Sequence, residues 1–195
     1  TNLNLLSASA HLESPILGDR ATLMVSARRS LDEDLYVFAI FFVNHVNDLA
    51  FHALLQHLGK LIPVEIAHFR GELGAGKSTF ARALIRAAGH EGPVPSPTYT
   101  LVEPYELSGR VIYHVDLYRV VEEEELRYLG WTDLEDGFRL VEWPDRAPGL
   151  AASADLRLSL AYAGDGRSAT LEGLSERGQQ IVTELEAATD TQPED

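Results

Sequence analysis

Apolar and polar positions along this chain switch several times between the two-residue period of strands and the 3.6-residue period of helices. Val64-Glu65-Ile66-Ala67-His68-Phe69 reads as a strand. From Thr79 to Ala88 the apolar positions Phe80, Ala83, Leu84, Ala87 and Ala88 take helical spacing, and Gly89 stands as the C-cap. Upstream, Asn47 to Leu58 is a second amphipathic helix, with Leu49, Ala50, Ala53, Leu54 and Leu58 on one side, Gly59 closing it and Pro63 marking the step into the strand. Thr100 to Leu107 and Arg110 to Asp116 form a hairpin across Ser108-Gly109. Glu122 to Leu129 is a short helix with its glutamates at the positive N-terminal end, and Phe138 to Glu142 is a strand. Leu156, Leu158, Leu160 and Tyr162 alternate with Arg157, Ser159 and Ala161, a half-buried antiparallel strand that Ala169 to Glu172 pairs with across Gly164-Asp165-Gly166. Glu176 to Ala188 is a last helix. The apolar run Leu35 to Val43 reads as a buried strand or, at least as readily, as a patch of core or interface, and residues 1 to about 34 carry little periodic signal.

The strands after residue 100 are linked too tightly for repeated strand–helix–strand crossovers. The expected class is therefore α/β, with a mixed sheet, parallel at its centre and antiparallel at its additions, flanked by helices. Residues 1–45 are set apart as an extension of unassigned structure, 46–188 as one domain, and 189–195 as a polar acidic tail.

A chain of 195 residues suffices for such a domain, and 45% hydrophobic with 24% charged residues is the balance of a globular protein with a core. With no cysteine, disulfides, thiolate metal sites and thiol catalysis are excluded. The only methionine is Met24, so Thr1 is not expected to be a natural start. The front of the chain lacks a signal-peptide pattern, and its longest apolar run, nine residues, is too short to span a bilayer; a cytoplasmic protein is expected. A net charge of −14 repels phosphate backbones, so contact with RNA or DNA is expected only through a partner.

The chemistry begins at Gly71-Glu72-Leu73-Gly74-Ala75-Gly76-Lys77-Ser78, which fits G-x-x-x-x-G-K-[ST] without a mismatch. It lies between a strand and a helix, as a phosphate-binding P-loop must. Backbone N–H groups from Glu72 to Thr79, through Leu73, Gly74, Ala75 and Gly76, form the candidate cradle, with Lys77 for the β- and γ-phosphates and the Ser78 hydroxyl for Mg²⁺. Hydrolysis needs an acid at a neighbouring strand end, and both Asp116 and Glu142 follow apolar strands; either suits the metal or the attacking water. Gly92-Pro93-Val94-Pro95-Ser96-Pro97-Thr98 is a proline-stiffened loop that presents Thr98 where nucleotide switches sense a γ-phosphate. His114 reads as a strand histidine that packs or hydrogen-bonds rather than as a catalyst. Arg119 is left between phosphate contact and pairing with the Glu122–Glu125 cluster, and Trp143 between stacking on a ring and filling core.

Taken in order, the P-loop, Ser96-Pro-Thr-Tyr-Thr-Leu-Val-Glu-Pro-Tyr105, His114-Val-Asp-Leu-Tyr-Arg119, Glu125-Leu with Leu129-Gly130, and Val141-Glu-Trp-Pro144 resemble the TsaE family over residues from about 46 to about 185. The resemblance implies a small P-loop ATPase that binds ATP and Mg²⁺. It acts with the TsaB–TsaD pair in threonylcarbamoylation of adenosine beside the tRNA anticodon, and meets tRNA only through that pair. It carries phosphate and Mg²⁺ roles to Lys77 and Ser78, a magnesium-site role to Glu142, an acid role to Asp116, a switch role to Thr98, and, more weakly, a nucleotide contact to Arg167. Relatives have only a short lead before the helix that precedes the P-loop strand, so the longer front of this chain leaves the adenine contacts unassigned. Two other readings of the residues stand beside this one: a small-molecule kinase on the same scaffold, which would want an acceptor pocket and a basic lid, and a nucleotide-gated binding switch without productive turnover.

Overall fold

The protein is described from a computed structural model over residues 7–12, 23–29, 36–42, 66–107, 109–151, 153–163 and 166–190. Its described strands are β1 (Ser7–Leu12), β2 (Leu23–Arg29), β3 (Tyr36–Phe42), β4 (Ile66–Arg70), β5 (Val102–Leu107), β6 (Arg110–Asp116), β7 (Phe138–Glu142), β8 (Leu156–Ala163) and β9 (Gly166–Gly173). The helices are α1 (Lys77–Ala87), α2 (Pro148–Ala151) and α3 (Glu176–Asp190), with 3₁₀ turns at Glu123–Leu129, Trp131–Leu134 and Pro144–Arg146. All the described strands join one sheet, in the order β1-β2-β3-β9-β8-β4-β7-β6-β5.

The centre of the sheet is parallel: β4 lies between β7 and β8, and β7 also pairs with β6. Strands covered on both faces should lack alternation. Every residue of β7 is buried, as are the first four of β4, whereas β8 alternates buried and half-buried over Leu156 to Leu160. The additions are antiparallel: the β5–β6 hairpin at one side, and β8–β9–β3–β2–β1 at the other. The expected mixed α/β sheet is therefore the observed one.

Two apolar clusters sandwich the central strands. On one face Ala67, Phe69, Leu140, Leu156 and Leu158 pack with Phe80, Leu84 and Ile85 of α1 and with Ile181, Val182 and Leu185 of α3. Phe69 and Phe80 meet edge to face, with centroids 5.6 Å apart. On the other face Ile66, Val115 and Val141 lie beneath Leu126 and Leu134 of the 3₁₀ turns. The first of those turns is held by a reciprocal capping box between Glu122 and Glu125. Asp155 couples the elements along one edge: its carboxylate accepts from the Ile66 N–H and the Ser175 hydroxyl, and Ser175 Oγ in turn caps α3 through the Gly178 N–H.

Several sequence expectations shift at their ends. The strand expected from Thr100 begins at Val102, because Leu101 takes a left-handed φ of 67° while its N–H donates to the Pro97 carbonyl. The run Leu35 to Val43 contains β3, so the strand reading of it holds. Strands β1 and β2 went unassigned, since small and polar residues in Ser7-Ala8-Ser9-Ala10 and Ser26-Ala27 mute their alternation. The helix expected over Asn47 to Leu58 lies outside the described residues.

His68, in β4, is fully buried and neither ring nitrogen has a hydrogen-bond partner. Burial above all, then the neighbouring cations Arg70 and Arg157, pull its pKa down to about 4. The unfolded chain therefore binds a proton near pH 6.5 that the folded chain refuses until about pH 4, so stability falls on acidification across that window. The slope from this residue approaches about 1.4 kcal/mol per pH unit. Urea unfolding at pH 7, 6 and 5 is expected to show a smaller loss for His68→Leu than for the unaltered chain.

Candidate functional site

The site lies at the C-terminal ends of β4, β6 and β7, where the loop from Gly71 to Gly76 leads into α1. Gly71, Gly74 and Gly76 all have left-handed φ values, of 144°, 78° and 105°. A Cβ on Gly71 would also run into the Leu160 carbonyl oxygen, and one on Gly74 would meet the Tyr162 hydroxyl at 2.7 Å. The loop thus needs glycine both for its turn and for its approach to β8. Tyr162 closes that approach by donating to the Leu73 carbonyl at 3.2 Å.

Lys77 opens α1 and is buried, its Nζ donating to the carbonyls of Gly71 (2.7 Å) and Glu72 (2.9 Å). Burial draws its pKa down, and the carboxylates of Glu142 and Asp116 pull it back up. The same ammonium sits 3.7 Å from the centroid of the Trp143 ring, a cation–π contact. Trp143 holds a left-handed φ of 59°, rare for a bulky residue and a local strain at the end of β7. Its N–H donates to the Phe69 carbonyl at 3.3 Å and its ring packs on Tyr118 at 5.0 Å, so three contacts fix the strained turn.

Parallel pairing of β6 and β7 puts Asp116 beside Glu142. Both are buried, and both have each oxygen engaged. Glu142 accepts from the Ser78 hydroxyl at 2.9 Å through Oε2 and from His114 Nε2 at 2.7 Å through Oε1. Asp116 accepts from the Thr98 hydroxyl at 2.6 Å and from the Tyr118 N–H at 2.9 Å. With Thr98 donating to the carboxylate, Ser96 Oγ, 2.9 Å from Thr98 Oγ1, is the donor to it. Glu142 is held from the core and from α1, Asp116 from loops.

Lys77, Ser78, Asp116, Glu142 and Thr98 are therefore brought together as the sequence places them, and Thr79 lies beside them in the first turn of α1. Arg167 stacks on Tyr162 at 4.0 Å and reaches the Gly74 carbonyl at 3.5 Å, on the rim of the loop. Arg119 lies over the Tyr99 ring at 4.5 Å. His114 is the buried, hydrogen-bonding strand histidine that the sequence suggested, but its partner Glu142 was not named there, nor was Lys77 as the partner of Trp143. The alternation of β6, which gives His114 and Asp116 one face, was the signal available for the first pair; nothing in the sequence marked Trp143 as a partner of Lys77.

A hard, oxygen-ligating cation suits this donor set. Among the described residues no group of three or more His, Cys, Asp or Glu offers a complete cage. Mg²⁺ in phosphate sites takes one or two protein oxygens and fills its shell with phosphate and water, which Ser78 and Glu142 can accommodate.

The family model for "Threonylcarbamoyl adenosine biosynthesis protein TsaE" matches residues 46–169, most of the chain and the whole of this site. The chain belongs to the TsaE family. That family takes part in tRNA threonylcarbamoyladenosine biosynthesis. A TsaE of Haemophilus influenzae is 40% identical over 132 residues, 67% of this chain and 82% of the relative, and one of Bacillus subtilis is 31% identical over 63% of this chain and 78% of the relative. The crystal structure of Bacillus subtilis YdiB superposes with a TM-score of 0.58 over 80% of this chain and 96% of that one, at 22% identity, a likeness of fold. No helix among the described residues is long and apolar enough to cross a membrane.

The double demand on Gly71 makes Gly71→Ala a sharp probe of the loop. Thermal or denaturant unfolding is expected to show a loss of about 2 kcal/mol or more, from the left-handed φ together with the clash.

Proposed function

We propose that this member of the TsaE family is a cytoplasmic, Mg²⁺-dependent ATPase that serves the TsaB–TsaD complex in tRNA threonylcarbamoyladenosine modification. The observation that carries the reading is the convergence of Lys77, Ser78, Thr98, Asp116 and Glu142 on one loop. In this reading the backbone N–H groups from Glu72 to Thr79 receive the phosphates, and Lys77 exchanges its contacts with the Gly71 and Glu72 carbonyls for a γ-phosphate oxygen. Ser78 and Glu142 would hold Mg²⁺, which when bound neutralises charge on the β- and γ-oxygens. Asp116, whose hydrogen bond to Thr98 ties it to the switch-like loop, is the carboxylate that orients the attacking water. Arg167 contacts the nucleotide from the rim.

Arg119 lies over the Tyr99 ring and Arg167 over the Tyr162 ring, and arginines engaged in this way support slow turnover by the chain alone. The surroundings of the mouth support a partner. Leu73, Tyr99, Tyr118, Val121 and Tyr162 are exposed and stand on segments at the C-terminal ends of the parallel strands. Aromatic residues with an apolar rim suit a protein surface, and a chain of charge −14 meets tRNA through that surface rather than directly.

Steady-state ATP hydrolysis is expected to be slow for the chain alone and to rise sharply with TsaB, TsaD and tRNA substrate. Turnover indifferent to that pair would overturn the assignment of partners. Glu142→Ala is expected to lower Mg²⁺-dependent turnover by more than about tenfold, and an unaltered rate would remove Glu142 from the metal site.

A further inference from the structure

Of the two hydrogen bonds that Glu142 accepts, one comes from Ser78 at the start of α1 and the other from the fully buried His114 in the middle of the sheet. We propose that His114 is a positioning residue: its Nε2–H holds Glu142 Oε1, so that Oε2 stays aimed at the Ser78 hydroxyl and at the cation that the nucleotide brings. The proposal rests on the function proposed above, and concerns how the metal-side carboxylate is oriented.

Three observations carry it. The 2.7 Å contact joins His114 Nε2 to Glu142 Oε1, and a carboxylate oxygen in such a contact accepts from the ring N–H. His114 Nδ1 is buried with no hydrogen-bond partner, so the bond to Glu142 is the hydrogen bond that orients the ring. A histidine serving only to fill volume between Ile112 and Val115 would gain nothing from that arrangement over leucine. Finally, β6–β7 pairing sets His114 beside Leu140 and Asp116 beside Glu142, so the ring reaches along the sheet to the carboxylate from below while Ser78 reaches it from α1. Two donors on opposite oxygens leave the carboxylate no rotation about its last bond. A partner beyond the ligand that orients it in this way changes metal affinity by about 10–100-fold when removed.

The test uses the full-length chain and a fluorescent ADP analogue, titrated in EDTA and in Mg²⁺, with folding followed by circular dichroism. For His114→Leu the gain in nucleotide affinity conferred by Mg²⁺ is expected to shrink by about 10–100-fold, with Mg²⁺-free affinity within about twofold of the unaltered chain. His114→Gln, whose amide nitrogen can stand where Nε2 stands, is expected to recover most of the gain; His114→Asn, too short to reach Oε1, is not. If His114→Leu fails to fold, the contrast between Gln and Asn carries the test. An undiminished Mg²⁺ gain in His114→Leu, equal behaviour of Gln and Asn, or loss of Mg²⁺-free and Mg²⁺-bound affinity together in a folded variant would overturn the proposal. Absence of any Mg²⁺ gain in the unaltered chain would instead overturn the proposed ATPase.

Discussion

A buried carboxylate at the end of β7 is the constraint around which the rest of this site is arranged. Glu142 is almost completely removed from water, where a carboxyl group is tolerated only with its oxygens satisfied. One oxygen is satisfied by Ser78 at the start of α1 and the other by His114 in β6. Those two bonds tie the helix, the loop before it and the parallel pair β6–β7 to one point. The glycine-rich turn, the opening of α1 and the register of the central strands therefore have to be right together.

The second constraint is the ammonium of Lys77. Buried beside two carboxylates and against the Trp143 ring, it occupies the hollow of the loop and donates to the loop's own carbonyls. Those contacts tie the start of α1 back to the first two residues of the turn. The strain at Trp143 belongs to the same arrangement: its left-handed turn sends the indole back over Lys77 immediately after Glu142 has pointed its carboxylate at Ser78. Asp116, by contrast, is bound by Thr98 and Tyr118, residues of loops rather than of the core.

Much of this was legible in the sequence because local signals agreed with the fold. The P-loop spacing, the two acids at strand ends, the β5–β6 hairpin and the alternation of β8 all rest on short-range patterns that tertiary packing reinforces. What stayed hidden is what depends on neighbours remote in sequence. The contact of Trp143 with Lys77 spans 66 positions and arises from a turn that a tryptophan before proline does not advertise. His114 looked like an ordinary interior histidine because its partner lies on the next strand in space, 28 positions away. Strands β1 and β2 escaped for another reason, since small and polar residues give an outer strand pair too little contrast to read.

The most direct measurement of the central claim is the position of a bound cation. Crystals grown with Mn²⁺ and ADP, measured at the manganese absorption edge, are predicted to show one anomalous peak between the loop and β7, about 2.1 Å from Ser78 Oγ and reached by Glu142 directly or through one water. A peak on Asp116 that leaves Ser78 and Glu142 bonded to each other would contradict the account, because the carboxylate fixed from the core would then not be the one that serves the metal.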